Sequence, residues 1–121
     1  MAVATRQGPY AFDALSITAH VTEKSSGSFI LGHLDENNQF IPRYVGRSEG
    51  DVRGELLFQL RLGKKCSAFT FRYASSPHQA FEQQCMDFHE CGGCASLDNA
   101  RHPSRPGHTK WECPICGLAF L

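Results

Sequence analysis

Apolar and polar positions alternate through the first half of the chain in a way that predicts two strands. An apolar run over residues 28–34 is followed by the turn-rich residues 35–38 and by a second apolar stretch over residues 40–45. Two such runs joined by a short polar turn predict a β-hairpin. Pro42 lies in the second strand and has no N–H, so we expect it at a sheet edge or a bulge.

Helical periodicity follows the hairpin. Ser48 is a candidate N-cap, and apolar residues then recur at helical spacing from Val52 to Leu60, up to Gly63. This pattern predicts a helix over residues 49–62.

A strand and a second helix come next in the sequence. Residues 66–73 alternate, with aromatic side chains on one face, and predict a third strand. Ser76 then resembles an N-cap with Pro77 at the first helical position, and an apolar stripe runs through Phe81 and Phe88. We therefore predict a helix over residues 77–90.

Two Cys-x-x-Cys pairs lie near the end of the sequence, Cys91/Cys94 and Cys113/Cys116, with 18 residues between them. Such pairs are typical of tetrahedral zinc sites, because a tight turn aims both sulfurs at one point. Gly117 follows the second pair, where such a turn usually needs a positive φ. The spacing predicts a structural zinc ion, and the four cysteines form one possible ligand set.

A second ligand arrangement competes with these four cysteines. Cys85 and His89 are four residues apart on the second predicted helix, so they would project from one face and could bind one ion together. His102 is a further candidate ligand. Cys85 could instead be a buried apolar thiol, since it lies on the apolar stripe. Cys113 and Cys116 belong to both metal sets.

A disulfide framework is the alternative to metal for the six cysteines. Residues 1–8 lack an apolar core of signal-peptide length, and no stretch approaches the roughly 18 apolar residues of a membrane span. We therefore expect a cytoplasmic protein with no membrane partner, in a compartment where clustered thiols favour metal over cystine. The pair at Cys91 and Cys94 follows a predicted helix, which argues against a thioredoxin-like redox motif.

The order of these elements predicts an α+β fold: a small three-stranded, mainly antiparallel sheet flanked by helices, with a C-terminal zinc-binding loop. Residues 1–26 form an N-terminal segment with one possible strand at residues 14–21. Residues 27–90 form the main domain, and residues 91–121 form a zinc-binding extension packed on it.

The formal net charge is zero, but residues 43–72 carry seven basic and three acidic groups. This concentration is consistent with a phosphate-facing surface, whereas the zero net charge argues against strong non-specific binding to nucleic acid. An ordinary solubilising face is the alternative. The candidate phosphate contacts are Arg43, Arg47, Arg53, Arg61, Lys64, Lys65 and Arg72.

Residues 27–90 contain several short motifs: Gly27-Ser28-Phe29, Tyr44-Val45-Gly46-Arg47-Ser48, the helix that begins near Asp51-Val52, and the second helix with Phe88-His89. Together they resemble the GIY-YIG nuclease superfamily. The tail, with His102-Pro103 and Cys113-Pro114-Ile115-Cys116, is similar to the extension of a bacterial and phage subgroup. The resemblance implies a nuclease fold, in which Cys85, His89, Cys113 and Cys116 would bind zinc and Cys91, Cys94 and His102 are alternative ligands.

In active relatives, a tyrosine helps to activate water, an arginine supports the phosphate, and a glutamate holds a divalent metal such as Mg²⁺. By this resemblance Tyr44 matches the tyrosine, but Glu55 replaces the arginine and Gln84 replaces the glutamate. Phe29 replaces a further tyrosine, and Gln59 stands where a histidine is often found. Losing one charge-stabilising group typically costs about 10² to 10³ in rate. The resemblance therefore implies a vestigial site.

We therefore expect a catalytically silent GIY-YIG-like zinc protein that binds DNA, RNA or a protein that processes nucleic acid. One alternative is an active, divergent Mg²⁺-dependent endonuclease that uses Tyr44, Arg53 and Glu82. Arg53 and Glu82 lie two residues from Glu55 and Gln84, and on a helix this shift turns a side chain by about 200°. The other alternative is a protein-directed adaptor or inhibitor.

Overall fold

The computed structural model describes residues 5–117 and contains a four-stranded antiparallel sheet with helices on both faces. Its strand order is β1-β4-β2-β3. None of the helices in this range combines the length and apolar character needed to cross a bilayer. The elements are β1 (Gln7–Ala11), α1 (Ala14–His20), β2 (Gly27–Leu34), β3 (Phe40–Ser48), α2 (Val52–Arg61), β4 (Ala68–Tyr73), α3 (Pro77–Glu90) and a short 3₁₀ turn (Gly93–Ala95).

The main core lies between the sheet and the first two helices. Side chains alternate along a strand, so Phe29 on β2 and Phe69 and Phe71 on β4 all reach the same face. Helix α1 adds Ile17 and helix α2 adds Leu56, and all five side chains are fully buried. The sheet face predicted from residues 66–73 is therefore confirmed as a core face.

Helix α3 packs on the opposite face of the sheet. Ile30 from β2 and Val45 from β3 meet Phe88 of α3, and Leu97 from the segment after the helix joins them. The contact of Leu97 brings the C-terminal segment onto the body of the domain. Each sheet face is therefore covered by helix, as expected for an α+β layer arrangement.

The hairpin of β2 and β3 has the irregularity that Pro42 predicts. The register shifts between Leu31 and Gly32, where β3 passes from Tyr44 to Pro42. Strand β3 also lies at the sheet edge, so the missing N–H of the proline costs no central ladder bond. The expected edge or bulge position is confirmed.

The C-terminal segment covers the free edge of β3. The side-chain amide of Asn99 accepts a hydrogen bond from the Val45 N–H at 2.9 Å and donates to the Val45 carbonyl at 2.9 Å. The backbone N–H of Asp98 donates to the carbonyl of Arg43. These bonds pair backbone groups at a sheet edge that would otherwise be open to another strand.

The N-terminal segment differs from its prediction. Residues 14–20 form helix α1 instead of a strand, because Asp13 caps the helix by accepting a hydrogen bond from the Ser16 N–H and because Ile17 and Val21 are buried four residues apart. The strand lies earlier, at β1, and pairs with β4. The sheet therefore has four strands where we predicted three.

Helix α2 starts later than predicted, and α3 starts where predicted. The N-cap of α2 is Asp51, which accepts from the Gly54 N–H, while Ser48 accepts from the Asp51 N–H one step earlier. The prediction of Ser48 as the cap was therefore wrong. Helix α3 begins at Pro77 with Ser76 as its cap, and both features are confirmed.

A buried ion cluster joins α3 to the sheet. Asp87 of α3 has no exposed surface and pairs with Arg72 of β4 at 3.1 Å and with Arg6. Burial raises the pKa of the Asp87 carboxyl and lowers the pKa of the Arg72 guanidinium, although each group's partner opposes the shift. Because neither charge is well exposed to water, removing one member of the cluster would leave its partner as a buried charge without a counter-charge.

Candidate functional site

Four candidate metal ligands converge at the C-terminal end of α3. Their donor atoms all lie within 4.8 Å of one another and could hold a metal ion. Two are imidazole nitrogens and two are thiol sulfurs, the donors that zinc prefers. The four residues are His89, His102, Cys113 and Cys116.

The local chain positions these donors. His89 lies in the last turn of α3, and the tail returns so that Cys113 packs against Phe81 and Trp111. The Gly117 N–H donates to the carbonyl of Cys113 at 2.9 Å, which closes the turn between the two cysteines and the glycine. Gly117 has φ +73°, so the predicted need for a positive φ after the second pair is confirmed.

Two of the donor–donor distances match those of a tetrahedral zinc ion, and all four donors lie within 4.8 Å of one another. Bonds of about 2.0 to 2.3 Å place neighbouring donors roughly 3.3 to 3.8 Å apart. The Nε2 atoms of His89 and His102 are 3.3 Å apart, and Nε2 of His102 lies 3.5 Å from Sγ of Cys116. Nδ1 of His102 lies 2.9 Å from the Pro103 carbonyl, which can only accept. His102 therefore carries its proton on Nδ1, and Nε2 is left with a lone pair for a metal.

The thiol of Cys113 is prepared for metal binding. Burial by itself would raise its pKa, but hydrogen bonds, first from the backbone N–H groups of Cys116 and Ile115, lower it to about 6. Ile115 N lies 3.4 Å from the Cys113 sulfur. The lowered pKa favours the thiolate, the form that binds metal.

The remaining candidate ligands lie outside the four-residue cluster. Cys85 is fully buried one turn before His89, where burial and the neighbouring Cys113 raise the pKa of its thiol. Cys91 is half-buried against the Phe88 cluster, and Cys94 is exposed. The structure thus brings together three residues of the set implied by the resemblance, and the fourth member of the cluster is His102. Cys85 is outside the cluster but contacts Cys113.

A second site is a pocket beside the edge strand β3. It has a volume of about 330 Å³ and draws side chains from both helical layers. All five positions that the resemblance marked as catalytic or vestigial line it, together with the last three residues of β3 and the residue that follows them. The lining residues are Phe29, Tyr44, Gly46, Arg47, Ser48, Glu49, Glu55, Gln59 and Gln84.

Gly46 leaves space for the ring of Phe29, which lines this pocket. It lies opposite Phe29 in the hairpin register, and a Cβ added there would come within 2.4 Å of the Phe29 ring. Phe29 is fully buried and cannot swing into solvent. The glycine of the Tyr44-Val45-Gly46 motif is therefore needed for a close approach of ring to backbone.

We predict that Gly46→Ala destabilises the protein by about 1 to 3 kcal/mol, because the methyl group overpacks the Phe29 ring. Urea unfolding monitored by circular dichroism measures the change. Gly50→Ala is the matched control: nothing lies within 4 Å of its added Cβ, so the change should stay within about 0.5 kcal/mol. Equal effects of the two substitutions would contradict this account of Gly46.

At the position that the resemblance assigns to a phosphate-supporting arginine, the pocket has the carboxylate of Glu55. Glu55 accepts a hydrogen bond from Nε2 of Gln59 at 2.8 Å. Burial, and then the charge of Glu55, raise the pKa of the Tyr44 hydroxyl. A raised pKa keeps the hydroxyl protonated and works against a role as a base.

Arg47 is a pocket residue that the sequence placed on a phosphate-facing surface. It donates to Oε1 of Gln84 at 2.7 Å, pairs with Glu49 at 3.0 Å, and stacks over Phe81 at 5.1 Å. Its side chain is only 14% exposed. The signal available in the sequence was its position directly after Gly46 in a motif that lines the pocket.

The two proposed compensating residues lie elsewhere. Arg53 lines a separate cleft with Lys24, and Glu82 lines another with Arg72 and faces His78 at 3.9 Å. Neither is among the residues that line the pocket of Tyr44. The active-nuclease arrangement built on them therefore has no geometric support within residues 5–117.

Most of the Lys and Arg side chains in residues 43–72 interact with other groups of the protein. Arg43 pairs with Asp98, and Arg72 with Asp87. The Lys64 ammonium lies 3.9 Å from the centroid of the Tyr44 ring, while Lys65 is exposed. Arg61 lies 5.9 Å from the ring of Phe58. Several of these cations are therefore already engaged with groups of the protein itself.

Comparison with known proteins identifies no relative. No family model matches the chain, and no curated protein or solved structure matches it. The resemblance to GIY-YIG nucleases therefore rests on the motifs and on the order of the elements. The metal cluster and the pocket beside β3 are the features from which a function can be argued.

Proposed function

We propose that this protein is a catalytically silent GIY-YIG-like domain, stabilised by zinc, that binds its target without cleaving it. The observation that carries the proposal is the carboxylate of Glu55 in the pocket beside Tyr44. A negative group at that position repels a phosphodiester, and the repulsion grows as water is excluded. We therefore propose that the pocket binds a group other than a phosphodiester.

Zinc is the metal that best fits the cluster at the end of α3. His89, His102, Cys113 and Cys116 would hold it, since two imidazoles and two thiolates are a common tetrahedral set. All four positions are then filled by protein, as in structural sites. The ion would join the end of α3 to the tail and add to the stability of a small core.

Magnesium does not fit the pocket. The Gln84 amide oxygen, at the position of the metal-holding glutamate, already accepts a hydrogen bond from Arg47, and its amide nitrogen donates to the Val45 carbonyl at 3.3 Å. A neutral amide with both ends engaged is a poor ligand for Mg²⁺. No step of phosphodiester cleavage is therefore assigned to this protein.

The target we propose is a protein that works on nucleic acid, ahead of nucleic acid itself. Arg43, Arg47 and Arg72 are held in ion pairs, which leaves fewer cations for the counterion release that drives binding to phosphates. Lys65 and Arg61 are exposed and could still contact a backbone. A nucleic-acid target predicts affinity that falls steeply with salt, and a protein target does not require it.

Supercoiled plasmid incubated with zinc-loaded protein tests the proposal. We expect no nicking in Mg²⁺ or Mn²⁺ above the level of a Tyr44→Phe variant. Tyr44 lines the pocket, so this variant removes the hydroxyl while the ring remains. Nicking by the natural sequence that Tyr44→Phe abolishes would overturn the proposal.

A gain-of-function variant tests whether the pocket is the vestigial site. Glu55→Arg combined with Gln84→Glu restores a cation and a metal ligand at two positions that line the same pocket. We expect measurable nicking that disappears when Tyr44→Phe is added. A double variant with an unchanged circular dichroism spectrum and no nicking would contradict the assigned correspondence of these residues.

A further inference from the structure

The pocket beside β3 holds one charge that the protein leaves unbalanced. Of its charged lining residues, Arg47 and Glu49 pair with each other at 3.0 Å. Glu55 receives a hydrogen bond from Gln59 but has no ion-pair partner within 4.0 Å among residues 5–117. A partly buried carboxylate without a cation attracts a positively charged ligand.

Next to Glu55, the side-chain oxygen of Gln59 lacks a hydrogen-bond donor. Gln59 is 6% exposed, and its Oε1 atom has no hydrogen-bond partner. Its amide nitrogen is already directed to Glu55, so the orientation of the amide is fixed by that bond. A buried acceptor without a donor costs free energy until one reaches it. Glu55 and Gln59 therefore both favour a ligand that donates hydrogen bonds.

The ring of Tyr44, which lines the pocket, favours a cation as well. Phe29, 6.5 Å away between ring centroids, is fully buried and offers no exposed face. The protein already places a cation on the Tyr44 ring, because the Lys64 ammonium is 3.9 Å from its centre. Lys64 is not itself a lining residue, so the cavity stays available to a ligand.

We infer that this pocket binds a guanidinium group. A guanidinium is planar, donates several hydrogen bonds in fixed directions, and stacks on aromatic rings. An ammonium group lacks the flat face, and a phosphate would meet the charge of Glu55. A divalent ion would find one carboxylate where it needs several oxygen ligands. The volume of about 330 Å³ is at the lower end of known ligand pockets, roughly 300 to 1,000 Å³.

This inference rests on the proposed function, in which the pocket binds a target that it does not cleave. The guanidinium can come from an arginine side chain of a protein partner or from a small molecule such as free arginine. The guanidinium group is the same in the two sources, and only the atoms attached to the rest of the arginine differ. A blocked tripeptide, acetyl-Gly-Arg-Gly-amide, represents the protein source, and free L-arginine represents the other.

Isothermal titration of the zinc-loaded protein tests the inference. Argininamide should bind at least tenfold more tightly than citrullinamide, its neutral counterpart of nearly the same shape. Glu55→Gln should weaken argininamide binding at least tenfold. Glu82→Gln is the matched control, because it removes an acidic group on α3 that does not line the pocket, and it should leave the affinity unchanged.

The two sources are separated by comparing the tripeptide with free L-arginine. Tighter binding of the tripeptide identifies a protein partner, and tighter binding of the free amino acid identifies a small molecule. Equal binding of argininamide and citrullinamide overturns the inference, and so does an unchanged affinity in a folded Glu55→Gln variant. The comparison with citrullinamide uses the natural sequence, so it decides even if that variant is unstable.

Failure of this inference is distinguishable from failure of the proposed function. If the protein does not nick plasmid and does not distinguish argininamide from citrullinamide, the silent domain stands and the guanidinium assignment falls. If it nicks plasmid through Tyr44, the proposed function itself falls. The two measurements use the same zinc-loaded protein and can be made side by side.

Discussion

Loss of the metal is expected to unfold the C-terminal segment and to remove most of the stability of the domain. Apparent binding free energies of structural zinc are about 10 to 16 kcal/mol in zinc-finger peptides, comparable with the whole stability of a domain, about 5 to 15 kcal/mol. Cys113→Ser should therefore lower the thermal midpoint strongly and abolish stoichiometric zinc. Thermal unfolding with and without chelator, together with zinc analysis by mass spectrometry, measures both effects.

The controls separate the possible ligand sets. Cys94→Ser removes an exposed thiol outside the cluster and should leave one zinc per chain. His102→Ala should lose zinc, whereas Cys85→Ala should retain it and lose only the packing of a buried thiol. Zinc loss in Cys85→Ala with retention in His102→Ala would assign the fourth ligand to Cys85. Full stability after complete removal of zinc would contradict a structural metal.

Asp87→Asn is expected to destabilise the protein by about 3 to 5 kcal/mol, the typical cost of breaking a buried ion pair by removing one partner. Asp87 is fully buried between Arg72 and Arg6. The substitution leaves the Arg72 guanidinium, 15% exposed, without its counter-charge. Urea unfolding with a fixed m-value measures the change.

The control for Asp87 is an ion pair at the surface. Asp98 pairs with Arg43, and their side chains are 53% and 39% exposed. Exposed pairs contribute about 0 to 1 kcal/mol, so Asp98→Asn should have a small effect. If the two substitutions cost the same, the cluster of Asp87 is not the structural link between α3 and the sheet that we describe.

Local signals predicted the elements whose ends are defined by neighbouring residues. Ser76 and Pro77 define the start of α3 through a cap and a fixed φ, and Pro42 marks the bulge of the hairpin. The N-terminal segment was mispredicted because α1 has only seven residues. Its stability comes from the burial of Ile17 and Val21 in the core more than from a periodic pattern.

The candidate sites were predicted less completely, because their residues come from distant parts of the chain. The motifs predicted that Tyr44, Glu55 and Gln84 belong to one site, and these three residues line one pocket. The interactions of Arg47 and Arg72 were not foreseen. Their partners, Gln84 and Asp87, are 37 and 15 residues away, and composition cannot distinguish a paired arginine from a solvent-exposed one.

The sequence by itself determined the order of strands and helices from β2 to α3, and it named every residue of the four-residue metal cluster as a candidate. Both depend on spacing and caps over a few residues, which the chain carries locally. Only the tertiary structure decided that β1 joins the sheet, that the donor atom of His102 lies within the four-residue cluster, and which charges lie in the pocket. These outcomes depend on which distant segments pack together, and that is set by burial over the whole domain.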